Sequence, residues 1–399
     1  MSEIQNPKVR RGNAVLQRNE NKHGAARLAV ALGGGGARAA YQTGVLRGIA
    51  KEFPDLTPPI LTGVSAGGIN VSFLANHTGT FRQKVEDLTQ LWKNLSFSDV
   101  FEARPMKLLW QVARVGMRLS VGVPPGVPRA TGMVDTEPLR KFLRRALNAG
   151  DGRLRGIAQN LAAGRVRAVA LTALNYQTGE SVTFVEGRKI TAWERPLRKS
   201  QSTELTVDHI MGSAALPLLF PPVQIGDSWY GDGGIRLVAP LAPAVHLQAD
   251  RLLVVSTHYD FPADTPVIRK SEHPPSPAVV LGSLYNAVFL DQLDQDILQM
   301  DRINSLLKKL PADQRDGLRP IGTTVIRPSV DIGKLANEFE SRLPPTFRYF
   351  MRRFGSRETS DQDFISTVMF HRDYVSELLK LGESDAERNL DRIAKVIAD

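Results

Sequence analysis

Cysteine is absent from this sequence of 399 residues. Its absence excludes disulfide bonds, thiol nucleophiles and cysteine-ligated zinc, and it gives no indication of an oxidising compartment. Long apolar runs are also missing, because the longest, at 27–32 and 214–223, fall far short of the roughly 18–20 residues that span a bilayer. The sequence therefore predicts no membrane-spanning helix.

The N-terminal region lacks an aliphatic pattern. Residues 1–26 are polar, contain five lysine and arginine residues and have no apolar segment after these charges. A secretory signal would need such a segment. We predict a disordered basic tail over residues 1–26 and a cytoplasmic protein.

Signatures of nucleic-acid-binding modules, such as paired metal ligands or interleaved aromatic residues, are absent as well. The net charge of +10 still favours an anionic partner, and we expect peripheral contact with an anionic membrane rather than nucleic acid. A polar, mostly basic stripe at helical spacing beside an apolar face is typical of a helix on a membrane surface, although a lid helix with a solvated face has the same pattern. The stripe comprises Arg104, Lys107, Gln111, Arg114 and Arg118, and a second basic group occupies 140–155.

Two strand–turn–helix units follow one another at the start of the patterned sequence. An apolar run at 28–32 precedes helical spacing over 37–53, and a second strand at 60–64 precedes a helix at 66–75. Such units predict an α/β fold with a parallel sheet. Further strands are predicted at 166–173, 182–185, 251–256 and 323–326, and further helices at 82–95, 136–148, 206–215, 284–310 and 361–381.

A glycine-rich turn connects the first strand and helix. Gly33-Gly34-Gly35-Gly36-Ala37-Arg38 lets the backbone turn tightly and exposes unpaired amides at a helix N-terminus. These amides suit the oxyanion of a tetrahedral intermediate or a phosphate. A dinucleotide site also needs an acidic residue at a strand end about 20 positions later, and the sequence supplies this poorly, because Asp55 lies in a proline-rich turn. A tight turn without a ligand is the third interpretation.

A serine lies between the second strand and its helix. Gly63-Val64-Ser65-Ala66-Gly67 matches G-x-S-x-G in the strand–turn–helix setting where that pattern exposes a nucleophile. The alternative is that Ser65 only caps the following helix.

Two kinds of base are available to this serine. Among the seven histidines, His258 at a predicted strand end would be the base in an α/β-hydrolase. That fold usually has several strands before the strand that leads into its G-x-S-x-G turn, whereas only one precedes it here. Asp232, in Tyr230-Gly231-Asp232-Gly233-Gly234, lies on a turn of small residues after an aromatic strand end. An Asp-Gly β-turn without a catalytic role is the alternative.

Taken in order, three motifs resemble the patatin-like phospholipases: Gly34-Gly35-Gly36-Ala37-Arg38, then residues 63–67, then Asp232-Gly233-Gly234. The segments 172–179 and 213–217 are also similar to that family. Ala39 is a departure, since the family often has glycine there.

The resemblance implies a three-layer α/β/α fold with a mainly parallel sheet and a helical C-terminal extension. It implies that Ser65 is the nucleophile and Asp232 the proton acceptor, with Gly63, Gly67, Gly233 and Gly234 as motif glycines. The oxyanion hole would comprise Gly34, Gly35, Gly36, Ala37 and Arg38, in which Arg38 would either brace the loop or meet a lipid phosphate. The substrate would be a phospholipid or related lipid ester.

We therefore expect a patatin-like catalytic domain at 27–250 and a mainly helical region at 251–399, with a proline-rich stretch at 262–277. No cluster of metal ligands is visible, and we expect neither metal nor cofactor. An α/β-hydrolase esterase with a histidine base and a dinucleotide-binding protein remain the alternatives.

Overall fold

The computed structural model describes residues 27–100, 134–217, 219–237, 239–259, 292–343 and 361–398. The predicted basic tail, the basic stripe at 104–118, the proline-rich stretch and the first part of the helix predicted at 284–310 lie outside these ranges.

The described strands form one mixed sheet. Its centre is parallel, in the order β10-β9-β1-β2-β3; β4, β6 and β5 continue it on one side, and the β7–β8 hairpin pairs antiparallel with the end of β3. The strands are β1 (Leu28–Leu32), β2 (Ile60–Val64), β3 (Ala168–Asn175), β4 (Ser181–Gly187), β5 (Glu194–Arg195), β6 (Arg198–Ser202), β7 (Val223–Ile225), β8 (Ser228–Asp232), β9 (Arg251–Val255) and β10 (Gly322–Ile326). All six predicted strands are present, each within two residues of its predicted bounds.

Helices connect and flank these strands. They are α1 (Ala39–Glu52), α2 (Ser65–Asn76), α3 (Phe81–Asn94), α4 (Phe97–Val100), α5 (Glu137–Ala146), α6 (Arg155–Ala162), α7 (Val207–Ser213), α8 (Ala242–His246), α9 (Gln292–Leu307), α10 (Ile332–Asn337), α11 (Asp361–Val368), α12 (Arg372–Arg388) and α13 (Leu390–Ala398), with short 3₁₀ turns at Gly36–Arg38, Gly233–Arg236, Ala312–Gln314 and Glu340–Arg342. No helix within the described ranges is long and apolar enough to cross a membrane.

The alternation of β1 divides the core into two parts, because successive strand residues point to opposite faces. Leu28, Val30 and Leu32 face the larger core, which α1, α2 and α3 cover. Ala29 and Ala31 face the smaller core, to which α8 and α9 contribute. Helices on both faces of a mostly parallel sheet confirm the predicted three-layer fold.

The described part of 251–399 contains helices, as expected, but it also supplies β9 and β10 to the central sheet. The boundary at residue 250 stays a prediction. A single helix over 361–381 is wrong: α11 ends at Val368 and α12 begins at Arg372. The buried residues Met369 and Phe370 leave the helical path, and the His371 ring caps α12 by accepting a hydrogen bond from the Asp373 amide.

Close backbone packing attaches α12 to α1. A Cβ added at Gly44 would collide with the Leu379 carbonyl group, and one at Gly382 would collide with the Tyr41 carbonyl oxygen. The Tyr41 hydroxyl donates a 3.1 Å hydrogen bond to the buried Asp385 carboxylate. Helix α12 is therefore fixed to α1, the helix that follows the glycine-rich turn.

We expect Gly44→Ala to destabilise the protein by about 1–3 kcal/mol, because the added methyl group meets backbone that cannot rotate away. Alanine is otherwise favoured over glycine in a helix by about 1 kcal/mol, so a loss would report the packing. Gly150→Ala is the control, since a Cβ added at that position would meet no atom within 4 Å. Denaturant unfolding measures both, and equal midpoints would contradict the prediction.

Candidate active site

Strand register brings three distant motifs to one edge of the sheet. Leu32 of β1 pairs with Gly63 of β2, so the glycine loop (residues 33–38) and Ser65 leave the sheet side by side. In β3, Thr172 pairs with Val64 and the next residue, Ala173, pairs with Asp232 of β8. Ser65 and Asp232 therefore meet beside β3 at the carboxyl ends of β1 and β2.

The backbone at Ser65 has the left-handed conformation, with φ of 54°. This conformation is costly for a residue with a Cβ, and it is typical of functional turns. Gly67 permits the turn, because a Cβ there would collide with the Gly33 and Leu32 carbonyl oxygens. The N-cap of α2 is Val64, and the Ser65 side chain caps nothing. The helix-cap interpretation of Ser65 therefore does not fit.

Ser213 holds this turn in place. Its hydroxyl accepts a 3.1 Å hydrogen bond from the Ser65 amide and donates a 2.7 Å bond to the Thr172 carbonyl. Ser213 is fully buried at the end of α7, and two residues later the Ala215 carbonyl accepts a 2.9 Å bond from the Asp232 amide. The segment at 213–215 thus holds Ser65 and Asp232 by their backbone amides.

Asp232 is fully buried. Its Oδ1 accepts a 2.8 Å hydrogen bond from the Gly234 amide, as an Asp-Gly turn requires, whereas Oδ2 accepts none within the described residues. Burial raises the pKa of this carboxyl from 3.8 to about 7, against the opposing effects of the nearby Ser65 hydroxyl and the Gly234 amide. The Ser65 hydroxyl is near enough to act on the pKa but does not close a hydrogen bond of ordinary geometry. Catalytic hydrogen bonds are often long or poorly aligned in the absence of substrate.

The glycine loop is fixed by its carbonyl groups. The Gln42 side chain donates a 2.8 Å hydrogen bond to the Gly33 carbonyl. The Thr257 hydroxyl donates a 2.8 Å hydrogen bond to the Gly34 carbonyl. The next two carbonyls accept from backbone: Gly35 from the Arg38 amide and Gly36 from the Ala39 amide. The amides of Gly35, Gly36 and Ala37 donate to no other described residue. A Cβ added at Gly34 would lie 3.2 Å from the Ser65 Cβ. The loop thus places uncommitted donors beside Ser65.

A chain of buried amides extends this support into the core. The Trp92 indole donates a 2.8 Å hydrogen bond to the Asn70 side chain, which donates bonds of 3.0 Å to Gln42 and 3.1 Å to the Ala39 carbonyl. Side chains on three helices therefore determine where Gln42 holds Gly33.

Arg38 is buried, and its Nε donates a 2.5 Å hydrogen bond to the Ser366 hydroxyl of α11. Its amide is committed to the Gly35 carbonyl. Of the two roles considered for the side chain, this geometry supports bracing of the loop.

An apolar pocket adjoins Ser65. It lies between α3, α5 and the end of α11, and its polar surface is small. Residues that line it include Ser65, Leu95, Phe142, Leu143, Leu216 and Phe370.

The described histidines are engaged away from Ser65. His258, the α/β-hydrolase candidate, has its Nδ1 within 3.1 Å of the Asp294 carboxylate. His209 packs edge-on against Phe184, and burial lowers its pKa to about 4. No histidine within the described ranges hydrogen-bonds Ser65.

The dinucleotide alternative needs an acidic residue near the glycine loop. Asp55 precedes β2 and so lies at the sheet edge opposite that loop.

Sequence reasoning did not identify Ser213, Gln42, Thr257 or Ser366 as parts of this site. Ser213 lies within one of the family-like segments, which was a usable signal. The others are single polar residues without a motif.

Within the described ranges, no three acidic or histidine side chains form a cluster that could hold a metal ion.

In a comparison with protein families, the family described as patatin-like phospholipase matches residues 30–245. Comparison with curated protein sequences gives no significant match.

Solved structures show weaker similarity. VipD from Legionella pneumophila matches with a TM-score of 0.38 and 13% identity, over 92% of this chain and 67% of that one. Human GIVD cytosolic phospholipase A2 gives 0.47 and 11%, over 98% and 63%, and the type III effector protein ExoU gives 0.31 and 16%, over 90% and 53%. The chain thus spans 53–67% of the length of these structures.

We expect Asp232→Asn to stabilise the folded protein at neutral pH. A carboxyl whose pKa is raised by folding holds a proton that the unfolded chain releases, so it destabilises the fold increasingly from pH of about 4 to about 7. Above that window the variant should gain on the order of 4 kcal/mol at most, and below it the difference should vanish. Urea unfolding across this pH range measures the effect.

Asp227→Asn on the same hairpin is the control, because removal of an exposed carboxylate changes stability by less than about 0.5 kcal/mol. An Asp232→Asn gain that does not depend on pH would contradict the burial argument.

Proposed function

The chain belongs to the patatin-like phospholipase family, and we propose that it is a lipid acyl hydrolase with Ser65 and Asp232 as a catalytic dyad. The family membership supports the hydrolysis of lipid esters. The substrate would be an acyl ester of a phospholipid or related lipid. The amides of Gly35, Gly36 and Ala37 would hold the oxyanion.

In the acylation half, the Ser65 hydroxyl attacks the ester carbonyl carbon while Asp232 Oδ2 accepts its proton. An aspartate with an ordinary pKa would accept that proton poorly, and the burial that raises the pKa to about 7 makes Asp232 a stronger base. The oxyanion faces the loop amides and the N-terminus of α2. Collapse expels the lipid alcohol, which takes the proton back from Asp232.

In the deacylation half, a water molecule attacks the acyl-serine carbonyl and gives its proton to Asp232. The second tetrahedral intermediate has its oxyanion in the same place. Its collapse breaks the acyl–Ser65 bond, returns a proton to the Ser65 oxygen and releases the fatty acid.

One observation carries the proposal: a left-handed serine next to a fully buried carboxyl group of raised pKa. The apolar pocket beside Ser65 supports a long hydrocarbon substituent, because burial of each methylene is favourable by about 0.8 kcal/mol. A cytoplasmic location, peripheral contact with anionic membranes and independence from metal are further parts of the proposal.

We expect a fluorophosphonate probe to label Ser65, because only an activated serine beside oxyanion donors reacts readily. Ser65→Ala should abolish labelling and the release of fatty acid from a total lipid extract. The Ser213→Ala variant should be labelled more slowly but still at Ser65, since the substitution removes only the hydroxyl that supports the turn. Mass spectrometry of the labelled peptide identifies the site, and undiminished labelling of Ser65→Ala would refute the nucleophile.

We expect Asp232→Asn to reduce turnover by about 10²–10⁴-fold, as loss of a general base does. His258→Ala is the matched control and should retain activity. In the parent, kcat/KM should rise as pH passes through about 7, where Asp232 ionises, and the same limb should persist in His258→Ala. If His258→Ala is folded but as inactive as Ser65→Ala, and Asp232→Asn is active, the α/β-hydrolase alternative replaces the dyad.

A further inference from the structure

We propose that residues 366–370, which lie outside the family-matched residues 30–245, are part of the active site, where Ser366 positions the glycine loop and Phe370 selects the acyl chain. This inference rests on the proposed hydrolase function and adds a specificity element to it. We call residues 366–370 the C-terminal segment.

The segment contacts the glycine loop directly. Ser366 accepts the 2.5 Å hydrogen bond from Arg38 Nε, and both side chains are buried. Gly36, with φ of 56°, lies against the next residue, and a Cβ there would collide with the Thr367 carbonyl oxygen. The two residues on either side of Ala37 are thus held by two successive residues of the segment. Displacing the segment would move the amides that face Ser65.

The segment is itself anchored on both sides. Val368 and Met369 are buried in the larger core. After the cap at His371, the Tyr374 hydroxyl donates a 3.0 Å hydrogen bond to the Ile332 carbonyl, and α12 packs on α1. The position of the segment relative to the loop is therefore fixed by packing that does not involve the catalytic residues.

The same segment forms a wall of the apolar pocket. Thr367, Val368 and Phe370 line it together with Ser65 and Phe142. An acyl chain attached to Ser65 in this pocket would meet the Phe370 side chain, which is 9% exposed. A large ring in the wall limits the room for the chain, so its size should decide which chain lengths are accepted.

The two residues should change different kinetic constants. Ser366 is a positioning residue that acts through Arg38 and the loop, so its loss should lower kcat without a change in KM and by the same factor for every ester. Phe370 touches the substrate, so its effect should depend on chain length.

The selectivity test uses p-nitrophenyl butyrate, octanoate and palmitate with the full-length protein. Phe370→Ala should raise the ratio of kcat/KM for palmitate over butyrate by about tenfold or more, because differences of a few methylenes in a pocket have effects of this size. Phe370→Trp should lower the ratio. Phe370→Leu, a milder change, should shift it in the same direction as alanine and guards against misfolding. Phe339→Ala is the control, since the Phe339 ring packs at a tilted angle against Tyr374 and does not line the pocket.

The positioning test compares Ser366→Ala with Ser72→Ala, which removes a buried hydroxyl that has no hydrogen-bond partner among the described residues. Loss of a hydrogen bond to a charged group should reduce kcat and the rate of fluorophosphonate labelling by about 10- to 100-fold, and Ser72→Ala should leave both unchanged. A Ser366→Ala variant with a raised KM and unchanged kcat would overturn the positioning role.

The two levels of proposal fail separately. If ester hydrolysis survives in Ser65→Ala, the hydrolase function fails and the inference fails with it. If hydrolysis depends on Ser65 but none of the Phe370 variants changes the chain-length ratio, the function stands and the specificity role is wrong.

Discussion

The burial of Asp232 without a cationic partner among the described residues is the constraint on which the candidate site depends. Only backbone and the Ser65 hydroxyl oppose the effect of burial on its pKa. A carboxylate in such surroundings is a costly group for folding, and the same cost makes it a better proton acceptor near neutral pH. Pairing of β8 with β3 and the bond from the Asp232 amide to Ala215 keep it there. In the proposed mechanism, catalytic basicity and lost stability have one physical origin.

A second requirement concerns the glycine loop. In the proposed mechanism, amides that are to receive an oxyanion must make no hydrogen bonds of their own, so they cannot help to hold the loop. The protein meets this requirement with the opposite groups: every carbonyl from Gly33 to Gly36 accepts a hydrogen bond. Gln42 and Thr257 supply two of these bonds from α1 and the end of β9. The carbonyl groups of the loop thus hold it in place, while its amide groups stay available for a ligand.

Local sequence patterns predicted the part of the site that local structure builds. The loop after β1 and Ser65 after β2 follow from apolar runs, glycines and the strand–turn–helix order, and two adjacent parallel strands must bring their carboxyl ends together. The position of Asp232 beside Ser65 was not predictable from local patterns, because an antiparallel hairpin on the end of β3 depends on contacts between segments about 60 residues apart in sequence. The break between α11 and α12 was missed for a similar reason. Periodicity continues through it, while the burial of Met369 and Phe370 decides the path.

The contact between the glycine loop and the C-terminal segment has a consequence for how the site can vary. Gly36 meets the backbone carbonyl of Thr367, so this contact does not depend on which side chains the segment carries. Arg38 is held through the Ser366 hydroxyl, whereas the Phe370 side chain faces the apolar pocket. Substitutions at position 370 can therefore reshape the pocket while the backbone contact still holds the loop. In this proposal, acyl selectivity and oxyanion geometry are separable within five consecutive residues, although both depend on α12 remaining packed on α1. A chain that ended at residue 250 would keep Ser65 and Asp232 but lose Thr257, Ser366 and Phe370, and with them part of the support of the loop and one wall of the pocket.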